Sequence, residues 1–223
     1  MLRADIERAF QDINQLFAGF ILETNVAETA SAISWNGYRS GFFSNRVYGS
    51  EYQNLIDSRQ FSFLLFDKSF IQLFFEWNGN ELKKAKLAYF PVPVKISNAY
   101  DDILESAEES GIDILEDLFF GVESWVDKGI NVVNTSHIRL DFDSAVTTHS
   151  KCHLQVGAIN ELRIDSDRLL NPFIFFDWIL KKLNLAGYND VTQKQNYLNA
   201  FRFHDRKHMV TELYEQSSFY LSN

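Results

Sequence analysis

The chain has 223 residues, 46% apolar, 15% aromatic and 23% charged, with ten Gly and three Pro; this balance excludes collagen-like, linker-like and disordered architectures and predicts one domain over residues 1–223. The net charge of −9 is local rather than general: residues 101–127 hold ten acids and no Lys or Arg, so the remainder sums to +1 and nucleic acid is not excluded as a partner. The single cysteine, Cys152, can form no internal disulfide and brings too few thiolates for a structural zinc site, which points to a reducing, cytoplasmic setting.

Apolar residues at Ile6, Phe10, Ile13, Phe17 and Phe20 follow helical spacing and predict an amphipathic first helix. The apolar run Leu16 to Leu22 follows charged helical sequence and does not read as a signal peptide. No run in the chain reaches the roughly 18 uninterrupted apolar residues of a membrane span, so no membrane association is expected. Residues 34–50 read as irregular connection or short strand. The aromatic and β-branched runs Phe61 to Phe66 and Phe70 to Trp77, split by Asp67-Lys68-Ser69, predict a hairpin; Asn78-Gly79 then turns the chain into a third strand that stops at Pro91.

Between residues 99 and 127 the periodicity predicts two acidic amphipathic helices, either solvated faces or a docking surface (101–127) for a partner protein such as a nuclease or ATPase. Strands are expected at His137 to Phe142 and Cys152 to Val156, with a short one at Leu162 and Arg163. Pro172 suits a first helical turn, with the helix ending near Gly187, and residues 186–223 read as a helical tail whose His204-Asp205-Arg206 and His208 form a solvated face. The fold class is therefore α+β: a mostly antiparallel sheet, a meander plus a second hairpin, flanked by amphipathic helices.

The run His137-Ile138-Arg139-Leu140-Asp141-Phe142-Asp143 alternates strictly, so period two places His137, Arg139, Asp141 and Asp143 on one strand face. Lys151, His153 and Gln155 repeat the pattern. If the two strands pair about a loop centred near Thr147, Asp141 lies opposite His153 and Arg139 opposite Gln155. Such a set suits metal-independent phosphodiester chemistry, in which imidazoles move protons and a guanidinium steadies charge on phosphorus. Candidate catalytic residues are His137, Arg139, Asp141 and His153; candidate binding residues are Lys151, Gln155, Arg163 and His149, which can stand in for either imidazole. The same groups serve equally well as structural ion pairs that lock a sheet.

No metal ligand set is assigned, because His137 and Asp141 lie roughly 13 Å apart along one strand. An ion held by Asp141, His153 and His149 is the remaining arrangement. No Gly-rich phosphate loop is present, so no cofactor is expected, and RNA is the ligand class that fits the set. Cys152 has the opposite parity and points to the core.

The motifs Phe66-Asp67-Lys68-Ser69-Phe70-Ile71-Gln72-Leu73, Lys86-Leu87-Ala88-Tyr89-Phe90-Pro91-Val92-Pro93, and His137-Ile138-Arg139-Leu140-Asp141-Phe142 with His153 resemble an uncharacterised prokaryotic family, domain of unknown function 2290. The resemblance covers about residues 35–185 and implies a bacterial or archaeal origin but no activity. Arg139-Leu140-Asp141 is also similar to the Arg-x-Asp strand of small β-rich prokaryotic toxin components, which carry a His-x-His pair further on. Here Gln155 stands where the second His would be. That similarity implies a defence or toxin–antitoxin context.

Overall fold

A computed structural model describes residues 1–39, 48–96, 130–157, 163–211 and 220–221. Its organising element is the meander. Strand β4 (Phe63–Leu65) pairs antiparallel with β5 (Phe70–Asn78), and β5 with β6 (Glu81–Phe90). The first turn is fixed by Asp67, whose Oδ1 accepts hydrogen bonds from the Ser69 amide at 3.0 Å and hydroxyl at 2.6 Å. Gly79, at φ +59°, closes the second turn, and Pro91 ends β6 by removing a ladder donor.

Two further strands continue the sheet beyond β6, β9 (Ile138–Asp143) and β10 (Cys152–Val156), followed by β11 (Arg163–Ser166). At the other edge lies β1 (Ile21–Thr24), while β2 (Val26–Glu28) and β3 (Ala32–Trp35) form a hairpin that joins β5 end to end with β4. With β14 (Tyr220–Leu221), parallel to β11, this makes a ten-stranded sheet among the described residues, otherwise antiparallel. Small separate ladders join β7 (Val94–Ile96) to β8 (Ile130–Val132) and β12 (Arg168–Leu169) to β13 (Met209–Val210).

Alternation assigns each face its cover. One face presents Leu73, Phe75, Leu87, Leu140, Phe142 and Cys152 to helices α1 (Arg3–Leu16) and α3 (Pro172–Leu183), which bury Ile6, Phe10, Ile13, Phe173 and Phe176 there. Each such side chain contributes about 1.5–3 kcal/mol on burial. The opposite face is divided. Helix α2 (Tyr48–Asp57) lays Tyr48, Tyr52 and Leu55 over Phe70, Ala88 and Phe90, and the Tyr48 and Tyr52 hydroxyls donate to the carbonyls of Pro91 and Lys68. Burial along β5 is continuous from Phe70 to Leu73 and alternates from Phe74 onward, so α2's cover ends there and a polar region begins.

The α+β architecture and mostly antiparallel sheet match the sequence reading, and several boundaries shift. The first helix stops at Leu16, and a single 3-10 turn over Ala18–Phe20 delivers the chain into β1. Residues 34–50, read as irregular connection or short strand, hold the end of β3, which fits the second alternative, and the start of α2, which fits neither. Helix α3 begins with Pro172 after an Asn171 cap that accepts from the Phe173 amide at 2.9 Å, but it ends three residues before Gly187, at left-handed Asn184. The tail is only partly helical: α4 (Tyr188–Thr192) and α5 (Gln195–Asp205) give way to β13 and β14. His204 is no solvated face. Fully buried, it stacks on Phe173 and bonds Asp12 Oδ2 at 2.7 Å, joining α5 to α1. The acidic helices expected between residues 99 and 127 lie outside the described residues, as do Glu161 and Leu162.

Candidate functional site

The second hairpin has the register its parity demanded. Asp141 faces His153 and Arg139 faces Gln155, all on the partly open side of the sheet, while Cys152 points into the core with no exposure. Burial raises the Cys152 thiol to about 12, beyond nucleophilic use at neutral pH. On the polar side a chain of contacts crosses the hairpin. Arg139 Nη2 donates to Gln155 Oε1 at 2.6 Å, Arg139 Nε donates to Asp141 Oδ2 at 2.6 Å, and His153 Nε2 stands 4.0 Å from that same oxygen.

His153 forms the floor, 8% exposed, and its pKa is lowered by burial against the opposing pull of Asp141. It is therefore neutral at pH 7 and able to take a proton. His153 Nδ1 and Asp141 Oδ1 are both buried and have no hydrogen-bond partner among the described residues. In native proteins such atoms are matched by a protein group, an ordered water or a ligand.

His149, in the loop, sits over His153 with ring centroids 5.3 Å apart and an interplanar angle of 69°. Its Nε2 lies 3.4 Å from Arg163 Nη1 and its Nδ1 3.2 Å from Thr148 Oγ1. A guanidinium only donates, so in this arrangement Nε2 accepts and the ring proton resides on Nδ1.

His137 departs from the expected cluster. It shares the face, but it lies before β9 beneath α2, where its ring stacks on Phe90 at 4.6 Å and meets Tyr48 at 6.5 Å. It is 5% exposed and lines no part of the cleft. Burial, reinforced by the Arg139 and Lys86 charges, lowers its pKa to about 4. Of the other two candidate imidazoles, it is His149 that packs against His153, although neither it nor His137 lines the cleft. For His137 the cause is distant in sequence: the aromatic cover from α2 and Phe90 seals the end of the strand.

The cleft, of about 330 Å³, also gathers residues that the hairpin alone did not indicate. Lys84 and Lys86 come from β6, in register with Asp143 and Asp141, and Lys84 Nζ is 3.2 Å from Asp143 Oδ2. Tyr38 and Phe74 form one wall, and Lys151, Gln155 and Arg163 complete the polar lining. The alternation of Lys84 and Lys86 with Ala85 and Leu87 was the available signal. Outside the cleft lining, on α2, Glu51 is 8% exposed with Oε1 unpartnered among the described residues, and its carboxyl is pushed up to about 7 by burial, partly offset by Arg139. Arg163 Nη1 meets His149 Nε2.

No group of three or more His, Cys, Asp and Glu able to hold a metal occurs among the described residues, so Asp141, His153 and His149 do not assemble as a ligand set. No helix among them is long and apolar enough to cross a membrane. Comparison with curated proteins and with solved structures gives no match. A family model does match, over residues 20–221, a wider span than the three motifs cover. The chain accordingly belongs to the uncharacterised conserved protein family DUF2290, domain of unknown function 2290.

Proposed function

We propose that the cleft binds the phosphodiester backbone of RNA and cleaves it by internal transesterification. The observation that carries this reading is charge. Lys84, Lys86, Arg139, Lys151 and Arg163 line one cleft whose carboxylates are Asp141 and Asp143, in a chain of net charge −9. A concentration of cations against the overall charge selects an anion, and His153 in the lining with His149 packed beside it suits one that reacts by proton transfer.

In the reaction, His153 accepts the proton of a ribose 2′-hydroxyl as its oxygen attacks phosphorus, and Asp141 steadies the imidazolium that forms. The bond from phosphorus to the 5′-oxygen breaks. His149, having taken a proton from solvent at Nε2 as Arg163 turns to the bound phosphate, gives that proton to the leaving oxygen. The products are a 2′,3′-cyclic phosphate and a free 5′-hydroxyl, and solvent exchange resets the two rings. Arg139, Lys86, Lys151 and Arg163 offset charge on the phosphorane, a contribution that is largest in a water-poor cleft. Such an activity accords with the toxin-like Arg-x-Asp strand.

The test is cleavage of a labelled single-stranded RNA by the full chain in excess chelator. His153→Ala should lower the rate by about 10²–10⁴-fold, the usual worth of a general base. A Lys151→Ala, Arg163→Ala double variant should weaken binding and reduce its salt dependence. Cleavage that survives both changes overturns the proposal.

A further inference from the structure

We infer that the cleft is specific for single-stranded RNA because an unpaired base seats against the wall formed by Tyr38 and Phe74; this rests on the phosphodiester reading above and adds its substrate class. Tyr38 and Phe74 are stacked, with centroids 4.7 Å apart and planes at 16°, and Trp35 meets Tyr38 at 5.1 Å and 72°. The wall is thus held rigid before anything binds. Both rings are half-buried, and both line the cleft.

Phe74 is also an anomaly of pattern. On the polar face of β5 its neighbours are Gln72 and Glu76, and period two calls for a polar residue where an aromatic stands. Register then fixes what lies beside it. Phe74 pairs with Lys86, Lys86 with Asp141, and Asp141 with His153, so one straight row crosses four strands. Three strand spacings of ~4.8 Å place the aromatic wall about 14 Å from the imidazole, with Lys86 between them.

That sequence of groups follows the order of a nucleotide chain. The base lies on the aromatic wall, its phosphate over Lys86 and Arg139, and the next phosphodiester at Asp141 and His153. A cleft of about 330 Å³ holds a single nucleotide unit rather than a helix, and a paired base inside a duplex offers only its edge to an aromatic ring. Stacking of this kind is tolerant of sequence, so selection is for unpaired structure rather than for a motif.

The test uses three ligands with the full chain, each made uncleavable by 2′-O-methyl groups: a single-stranded RNA, the same strand annealed to its complement, and an abasic oligomer of equal length. Binding is read by fluorescence anisotropy. The single strand should bind about ten- to a hundredfold tighter than the abasic oligomer, the worth of one stacked base. Tyr38→Ala should erase that advantage while leaving abasic binding unchanged, and Tyr38→Phe, which keeps the ring, should preserve it. If single-stranded and abasic ligands bind equally, and both weaken in the Lys151→Ala, Arg163→Ala variant, the base wall is wrong and the phosphate reading stands. Equal affinity for the duplex also overturns the base wall. If none of the ligands binds, both readings fall together.

Discussion

Replacing Glu51 by Gln should stabilise the protein, and the gain should depend on pH in a defined direction. The carboxyl sits on α2, almost wholly buried, with one oxygen unpartnered among the described residues and Arg139 as the charge that offsets its burial. Its pKa rises from 4.5 to about 7 on folding. Between these values the folded state binds a proton that the unfolded state has released, so stability falls as pH rises through that window and levels off above it. At ~1.4 kcal/mol per pH unit the accumulated penalty is about 3 kcal/mol. Urea unfolding of wild type and Glu51→Gln, followed by circular dichroism at pH 4 and pH 8, isolates the effect, because other titrating groups cancel in the difference. The variant should be equal to wild type at pH 4 and about 3 kcal/mol more stable at pH 8. A variant less stable at pH 8 would show that attraction to Arg139 outweighs desolvation and would refute the reasoning.

Three further outcomes follow from the same geometry. Gly157 has φ +56°, and a Cβ there would lie 2.3 Å from Ser136 Cβ, so Gly157→Ala should lower stability by about 1–3 kcal/mol, measured by thermal unfolding. Cys152, with no exposure and a thiol raised to about 12, should resist a thiol-reactive dye in the native protein and label rapidly in denaturant; rapid native labelling would contradict its core placement. The cleavage rate should rise with pH through the lowered pKa of His153, so its acid limb should fall below the usual imidazole value of 6.5, and Asp141→Asn should lower the limb further by removing the charge that favours the imidazolium.

The hairpin of β9 and β10 was legible because strand alternation has a period of two and polar residues obey it from Arg139 to Asp143 and from Lys151 to Gln155. Once one loop centre is fixed, register follows, and the Asp141–His153 and Arg139–Gln155 pairs follow with it. What was not legible depends on contacts between distant segments. His137 has the right parity, yet its fate is set by Phe90 and by Tyr48 of α2, and nothing in the local pattern announces that cover. Glu51 was invisible for the same reason, since Gly49 and Ser50 read as turn residues although they lie in the first turn of α2. Strands β1 and β2 are too short to show alternation, and they exist because β4 and β3 supply their ladder partners. Lys84 and Lys86 were readable as a polar stripe on β6, but only the pairing of β6 with β9 brings that stripe to Asp141 and Asp143.

The chemistry assigned to His153 and His149 leaves a specific chemical trace. Mass analysis of the ends produced from an RNA oligomer, with a DNA oligomer of the same sequence as control and excess chelator throughout, reads that trace. Attack by the 2′-oxygen should leave a 2′,3′-cyclic phosphate on one RNA product, a 5′-hydroxyl on the other, and the DNA intact. Cleaved DNA, or RNA ends bearing a 5′-phosphate, would contradict it, because neither arises from attack by a 2′-oxygen.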